Sequence, residues 1–191
     1  MGRPREFDRV DVLKRATNLF WDRGFEATSM EELVKVTGLN RGSMYSLFKS
    51  KEGLFLATID SYFEFLEATF GVILEQEKGL KTIEEYFYTV ADKLVRYGRG
   101  CFFANSVIEN RSVPQLASDK VDVYYRRVHE LLKINLEAAK SNEEINPELN
   151  LDEVSSYLVC LTQGIAVMSK MSKDSKTIEA VINTALAQIV K

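Results

Sequence analysis

Thr28-Ser-Met-Glu-Glu-Leu-Val-Lys-Val-Thr-Gly-Leu-Asn-Arg-Gly-Ser-Met-Tyr-Ser-Leu-Phe-Lys-Ser-Lys-Glu-Gly-Leu54 is the stretch that decides the fold. Thr28 and Ser29 each have a glutamate three residues on, Glu31 and Glu32, which is the spacing of a capping box at a helix start. The helix that follows turns Met30, Leu33 and Val34 inward and stops at Gly38. Asn40 is a good N-cap for a second short helix, Arg41 to Leu47. Phe48 and Lys49 leave it, and Ser50 caps a much longer helix with Lys51, Glu52 and Gly53 in its first turn. Two helices of about two turns joined by a tight turn make a helix-turn-helix, whose second helix enters the major groove of double-stranded DNA. That second helix opens on Arg41-Gly42-Ser43 and has only a narrow apolar edge, Met44 and Leu47. Glycine weakens a helix by ~1 kcal/mol relative to alanine, but it lets a backbone come close to a partner.

Working outward toward the N-terminus, Asp8 caps a first helix running to about Arg23, with Val10, Leu13, Ala16, Leu19 and Phe20 at helical spacing. Gly24 ends it, and Trp21 and Phe25 read as core aromatics around that end. Ahead of it, Gly2-Arg-Pro-Arg5 is a basic arm. It reads either as a solvated terminus or as a segment that follows phosphates or enters a minor groove.

Taken together, Thr28–Val34, Thr37–Tyr45, Phe48–Glu52 and Leu54 resemble the N-terminal signature of TetR/AcrR-type regulators. The arm, Phe7-Asp8 and Phe20-Trp21 before Gly24 are similar to one branch of that family, and the resemblance is nearly continuous over residues 2–56. Leu33-Val34, Leu47 and Gly53 depart modestly from the usual pattern. The resemblance implies an all-α chain with a three-helix DNA-binding domain over residues 1–50 and a larger ligand-binding and dimerisation domain over 51–191. It also implies DNA-contacting roles. Thr28 would meet phosphate at a helix start. Arg41, Ser43 and Asn40 would reach base edges, with Gly42 in close approach. Tyr45 and Lys49 would hold the backbone, Lys51 would add a phosphate contact, and Arg3 and Arg5 would act from the arm. Helix N-termini and hydroxyls favour anions, and arginine can pair bidentately with guanine. Tyr45 can equally be a core aromatic with a wet hydroxyl.

One helix is expected from Lys51 to about residue 77, with Phe55, Ile59, Tyr62, Phe63, Leu66, Phe70 and Ile73 stepping by three or four. Further helices are expected over about 80–97, 102–109, 114–140, 151–171 and 175–190. Leu151, Val154, Leu158, Leu161, Ile165 and Met168, with Ile178, Ile182, Ala185 and Ile189, form apolar stripes that suit either a homodimer's four-helix interface or ordinary core packing. Aromatics are frequent in this part, and a pocket for an unidentified small-molecule effector is expected there, with Phe63, Phe103, Tyr125 and Thr162 as candidate lining. Gly100-Cys-Phe-Phe-Ala-Asn-Ser106 resembles a segment of the same family branch. Cys101 is either a buried small residue or a redox- and electrophile-sensing thiol, activated by a helix start and Arg99.

Composition bounds the alternatives. The chain has 191 residues, 46% apolar and 28% charged, with three prolines. Residues 1–53 carry ten Lys/Arg against eight Asp/Glu and the remainder carries the opposite balance, giving a net charge of −3. Such a basic head on an acidic body suits a nucleic-acid contact at one end. Cys101 and Cys160 make no disulfide framework and no metal spacing. Neither a signal-peptide pattern nor a membrane-length apolar run occurs, so a cytoplasmic protein is expected. With one histidine, His129, and no phosphate loop, metal cluster or nucleophile elbow, enzymatic activity and a cofactor are not expected.

Overall fold

The computed structural model describes residues 8–76, 78–108, 113–172 and 174–191. Its elements are α1 (Arg9–Arg23), α2 (Met30–Thr37), α3 (Arg41–Phe48), α4 (Lys51–Leu66), a π-helical turn (Glu67–Gly71), α5 (Val72–Gln76), α6 (Leu80–Tyr97), α7 (Phe102–Ile108), α8 (Gln115–Ser141), α9 (Leu151–Met171) and α10 (Ser175–Ala187). Among the described residues the only extended pairing is an isolated bridge between Ile145 and Val190, so the fold is all-α as expected. The chain forms two compact units, one from the described residues up to 64 with 105–121, the other from 65–104 with 122–191. Among the described residues no helix is long and apolar enough to cross a membrane.

In the first unit, the Asp8 carboxylate accepts from the Val10 N–H at 2.9 Å and starts α1. The buried row of α1 is Val12, Leu13, Ala16 and Phe20. Val10, expected inward, is 71% exposed, whereas Val12 is 2% exposed. The helix begins at Arg9, so Val10 lies in its first turn, and the row that meets α2 is spaced by four from Val12. Leu19 is half-buried. Phe20 stands edge-on to Phe55 at 5.0 Å, Phe25 lies 4.9 Å from Phe55, and Trp21 meets Tyr62 edge-on at 5.2 Å. Trp21 and Phe25, expected as core aromatics, are half-buried and pack against α4, and such pairs add ~0.5–1.5 kcal/mol each beyond their buried area. Phe48 closes α3 instead of leaving it. With Met44 one turn earlier it makes the buried edge, while Leu47 is half-buried.

The helix expected over 51–77 is interrupted. The Val72 N–H bonds the Glu67 carbonyl five residues back, the mark of a π-turn. Gly71 permits it: a Cβ there would lie 3.3 Å from the Glu67 carboxyl, which folds against the glycine. Arg127 on α8 holds that carboxylate through Nε at 2.5 Å and also pairs with Glu75.

In the second unit, α6 buries Ile83, Tyr86, Phe87, Val90 and Leu94 and packs on α9 and α10. Asn135 is fully buried, and its amide donates to the Leu74 carbonyl at 2.9 Å and the Leu131 carbonyl at 2.8 Å. Its oxygen accepts from the Gly79 N–H at 3.3 Å. Glu144 caps α6 from a distance, accepting from the Leu80 N–H at 2.8 Å. Of the two roles open to the α9 stripe, Val154, Leu158 and Ile165 are core of this chain, and Ile178, Ile182, Ala185 and Ile189 are buried too. The face of α9 left uncovered is a second row, Tyr157, Cys160, Gly164, Val167 and Met171.

Candidate nucleic-acid interface

Ser29 is the N-cap of α2. Its hydroxyl accepts from the Glu32 N–H at 3.2 Å, and the Glu32 carboxylate accepts from the Ser29 N–H at 3.0 Å. The Ser29 N–H and, at 2.9 Å, the Ser29 hydroxyl both donate to the Glu32 carboxylate and, in that order, hold it below its ordinary pKa, helped by the Arg23 ion pair. Thr28 is placed differently from the expectation. It is 1% exposed, and its hydroxyl donates to the Gly24 carbonyl at 2.6 Å. The hydroxyl that seals the end of α1 is therefore turned away from any phosphate, and Ser29 holds the helix start.

Gly38 closes α2 in the left-handed region, φ 73°, with its N–H on the Val34 carbonyl at 3.1 Å. A side chain is strained at that φ, which is why glycine stands in the turn. Leu39 is buried inside the turn and fixes where α3 begins. Asn40 caps α3, its side-chain oxygen accepting from the Ser43 N–H at 2.8 Å. No carboxylate occupies the first turn of α3, unlike α1 and α2, so nothing there repels an anion.

Because Met44 and Phe48 face inward, Arg41, Gly42, Tyr45 and Ser46 stand on the exposed face, with Ser43 half-buried beside them. At 39% exposure, Tyr45 is a surface ring and not a core aromatic. The Arg41 guanidinium lies over that ring at 5.9 Å and ties the two exposed side chains together. Ser46, not singled out from sequence, shares this face; its position one turn after Gly42 is the signal that would have found it.

The chain then turns sharply. Lys49 has φ 68° and ψ −44°, and the Ser50 N–H bonds the Phe48 carbonyl at 2.8 Å across it. This is a three-residue γ-turn with a non-glycine residue in its strained form. The Lys49 ammonium stays exposed and donates to the Ser46 carbonyl at 2.9 Å. Lys51 differs from the expectation. Its ammonium donates to the carbonyls of Phe25 at 3.0 Å, Thr28 at 3.1 Å and Glu26 at 3.4 Å, and lies 4.4 Å above the Phe25 ring. An ammonium has three donors, and here all three go to the loop between α1 and α2, so Lys51 braces that loop. Arg3 and Arg5 lie outside the described residues.

Of the candidate effector residues, one lies in the first unit and three in the second. Phe63 is half-buried on α4 in the first unit. In the second unit Phe103 is fully buried, edge-on to Tyr124 at 5.3 Å. Thr162 donates to the Leu158 carbonyl at 3.0 Å and hydrogen-bonds Tyr86. Burial pushes the Tyr86 phenol up to about 12. Burial and then the adjoining Cys101 push Tyr125 up as well, and its hydroxyl hydrogen-bonds that sulfur. Cys101 is half-exposed immediately before α7.

Comparison with known proteins agrees with this geometry. Residues 12–58 match the family of bacterial regulatory proteins of tetR type, and residues 78–185 match the tetracyclin repressor-like C-terminal domain. The chain is 28% identical to the HTH-type transcriptional repressor ComR of Escherichia coli, covering 97% of this chain and 90% of that protein. It is 28% identical to the HTH-type transcriptional regulator YezE of Bacillus subtilis, covering 98% of each. Among solved structures, a CifR cysteine mutant complexed with 26-base-pair operator DNA superposes with a TM-score of 0.83 at 21% identity, over 97% of this chain and 98% of that one. Reduced E. coli NemR superposes at 0.84 and 21% identity, over 94% of this chain and 95% of that one. With a helix-turn-helix whose outer face is Arg41, Gly42, Tyr45 and Ser46, and with both family domains matched in order, this chain belongs to the TetR family of DNA-binding transcriptional regulators, which are not enzymes.

Proposed function

We propose that the chain is a dimeric repressor that releases its operator when a small molecule binds its C-terminal part. Residues 1–50 carry the DNA contact and 51–191 the effector site and dimer contact. The observation that carries this reading is the outer face of α3, where a capped, carboxylate-free helix start presents Arg41, Gly42, Ser43 and Tyr45 while Met44 and Phe48 hold the helix to its core. Arg41 reads a base edge, Asn40 and Ser43 line the groove beside it, and Tyr45 and Lys49 hold the backbone. Likeness to ComR, a repressor, favours repression over activation. The uncovered row of α9, Tyr157 to Met171, suits a second copy of the chain, because a helix-turn-helix reads paired half-sites as a dimer. An effector then acts by its difference in affinity between the bound and released states.

The test is a salt titration of wild type and Arg41→Ala on the chain's own upstream DNA and on scrambled DNA. Steep salt dependence with relaxed specificity in the variant is expected. Salt-independent binding, or none, overturns the reading.

Cys101 favours a second trigger. It is half-buried just before α7 with its sulfur against the Tyr125 hydroxyl, and peroxide converts an accessible thiolate to a sulfenic acid. Loss of operator binding on oxidation in wild type, retained binding in Cys101→Ser, is the expected pattern.

A further inference from the structure

Gly53 has no part in the contacts described so far, yet the backbone passes close against it. A Cβ on Gly53 would lie 2.0 Å from the Phe48 carbonyl oxygen and 3.2 Å from its carbon. Both are backbone atoms, so no side-chain rotation relieves the overlap. That same carbonyl accepts the Ser50 N–H across Lys49. Ser50 in turn accepts from the Gly53 N–H through its hydroxyl at 3.0 Å, which seats the first turn of α4 under the γ-turn.

From this geometry we infer that Gly53 is a positioning residue for DNA binding: by lacking a side chain it lets the Phe48 carbonyl fold over α4, which holds Lys49 in the left-handed region and sets its ammonium at the end of the recognition helix. The inference rests on the proposed backbone contact of Lys49. The chain of cause is short. The left-handed region is costly for a lysine, and the strain persists only because the turn on either side is fixed. The Lys49 N–H is tied to the Tyr45 carbonyl at 3.0 Å and the Ser50 N–H to Phe48. With any Cβ at 53 the Phe48 carbonyl must swing out, the Ser50 bond breaks, and Lys49 relaxes to negative φ. Its side chain then leaves the end of α3, where Ser46 now holds it. Tyr45 and Arg41, one turn and more upstream, keep their places.

The experiment measures the salt dependence of binding to the chain's own upstream DNA for wild type, Lys49→Ala, Gly53→Ala and the double variant, each first checked for folding by thermal melting. One phosphate contact is worth ~0.9 in the slope of log K against log salt. Lys49→Ala and Gly53→Ala are each expected to lower the slope by that amount, and the double variant to lower it no further. A glycine that served stability alone would lower Tm and leave the slope as in wild type, and that result overturns the inference. So does a double variant whose loss is the sum of the two. If Lys49→Ala itself leaves the slope unchanged, the backbone contact fails and the inference with it. Should Gly53→Ala not fold, Lys49→Gly is compared with Lys49→Ala. Glycine accepts the left-handed region freely, so Lys49→Gly should melt ~2–4 °C higher; equal melting would overturn the strained turn on which the inference stands.

Discussion

Replacing Lys51 by methionine separates two roles that the same lysine could play. The substitution keeps an unbranched stem of similar length against Phe25 and removes the ammonium. In the structure that ammonium makes two good bonds to partly buried carbonyls, at 3.0 and 3.1 Å, and a weaker exposed one at 3.4 Å. A hydrogen bond to a charged group contributes ~1.5–3 kcal/mol net, less where water can replace it. Water reaches part of this site, since Lys51 is only half-buried. Two discounted bonds therefore come to about 2–3 kcal/mol, and the cation above Phe25 at 4.4 Å adds ~0.5–1 kcal/mol. For a chain of this size each kcal/mol is worth ~2–4 °C, so Lys51→Met should lower the melting temperature by roughly 5–16 °C. Circular-dichroism melting reads the shift. Operator binding of the folded protein, well below that temperature, should keep the wild-type salt slope. The reasoning is refuted by the opposite pair of results: an unchanged melting temperature with a slope lowered by ~0.9, as a phosphate contact requires.

Arg41→Ala should cost ~1–3 kcal/mol of discrimination at one base pair of the operator while binding to scrambled DNA changes little, which competition binding measures. Ser29→Ala should destabilise the chain by ~1 kcal/mol in urea unfolding at neutral pH, since it removes half of the capping box. The same box sets a pH dependence. Glu32 titrates below its ordinary value of 4.5 in the folded chain, so its contribution is complete above that value and is lost as pH falls through the lowered one. Ser29→Ala removes the hydroxyl bond to the Glu32 carboxylate as well as the cap bond from the Glu32 N–H, so the gap between wild type and Ser29→Ala should narrow in acid to the cap bond alone; a gap that is constant down to about pH 3 would show that the box does not act through the carboxylate. Asn135→Leu should cost about 2–3 kcal/mol, because the Leu74 carbonyl and the Gly79 N–H lose a buried partner, and an unchanged midpoint in urea would contradict that account.

The helix-turn-helix was legible because local chemistry fixes it. A capping box, a glycine that must take positive φ and an asparagine cap each specify a helix end within a few residues. The order of these signals over residues 28–54 leaves α3 no other place to lie. What sequence could not show is where long side chains end. Thr28 and Lys51 carry the right groups for phosphate, yet the structure folds the α1–α2 loop so that their polar atoms meet the carbonyls of Gly24, Phe25, Glu26 and Thr28. That loop's own backbone bonding is a single long turn contact, the Thr28 N–H to the Phe25 carbonyl at 3.4 Å, and a buried carbonyl must find a donor. Those two side chains supply donors. Tertiary demand for hydrogen bonds in a loop leaves no periodic trace.

The same limit explains α9. Val154, Leu158, Leu161, Ile165 and Met168 step by three and four, and so do Tyr157, Cys160, Gly164, Val167 and Met171. Periodicity alone cannot rank two rows on one helix. Shape separates them. Among its full-depth positions the first row sets branched side chains, Val154, Leu158 and Ile165, which are buried against this chain's own helices. The second row mixes a tyrosine and a methionine that is 82% exposed with the small residues Cys160 and Gly164. A Cβ added at Gly164 would meet nothing within 4 Å. A glycine with open space above it serves no packing within its own chain, and at a helix centre it weakens the helix by ~1 kcal/mol. Its use must lie in what approaches from outside. A helix of the second copy in the proposed dimer, coming near a small-residue saddle flanked by Tyr157 and Val167, fits that description, and in a two-fold pair each copy presents this same patch to the other. Gly164→Leu should then lower the dimer fraction seen by sedimentation while raising the stability of the isolated chain; a variant that dimerises as wild type does would move the contact elsewhere on the molecule.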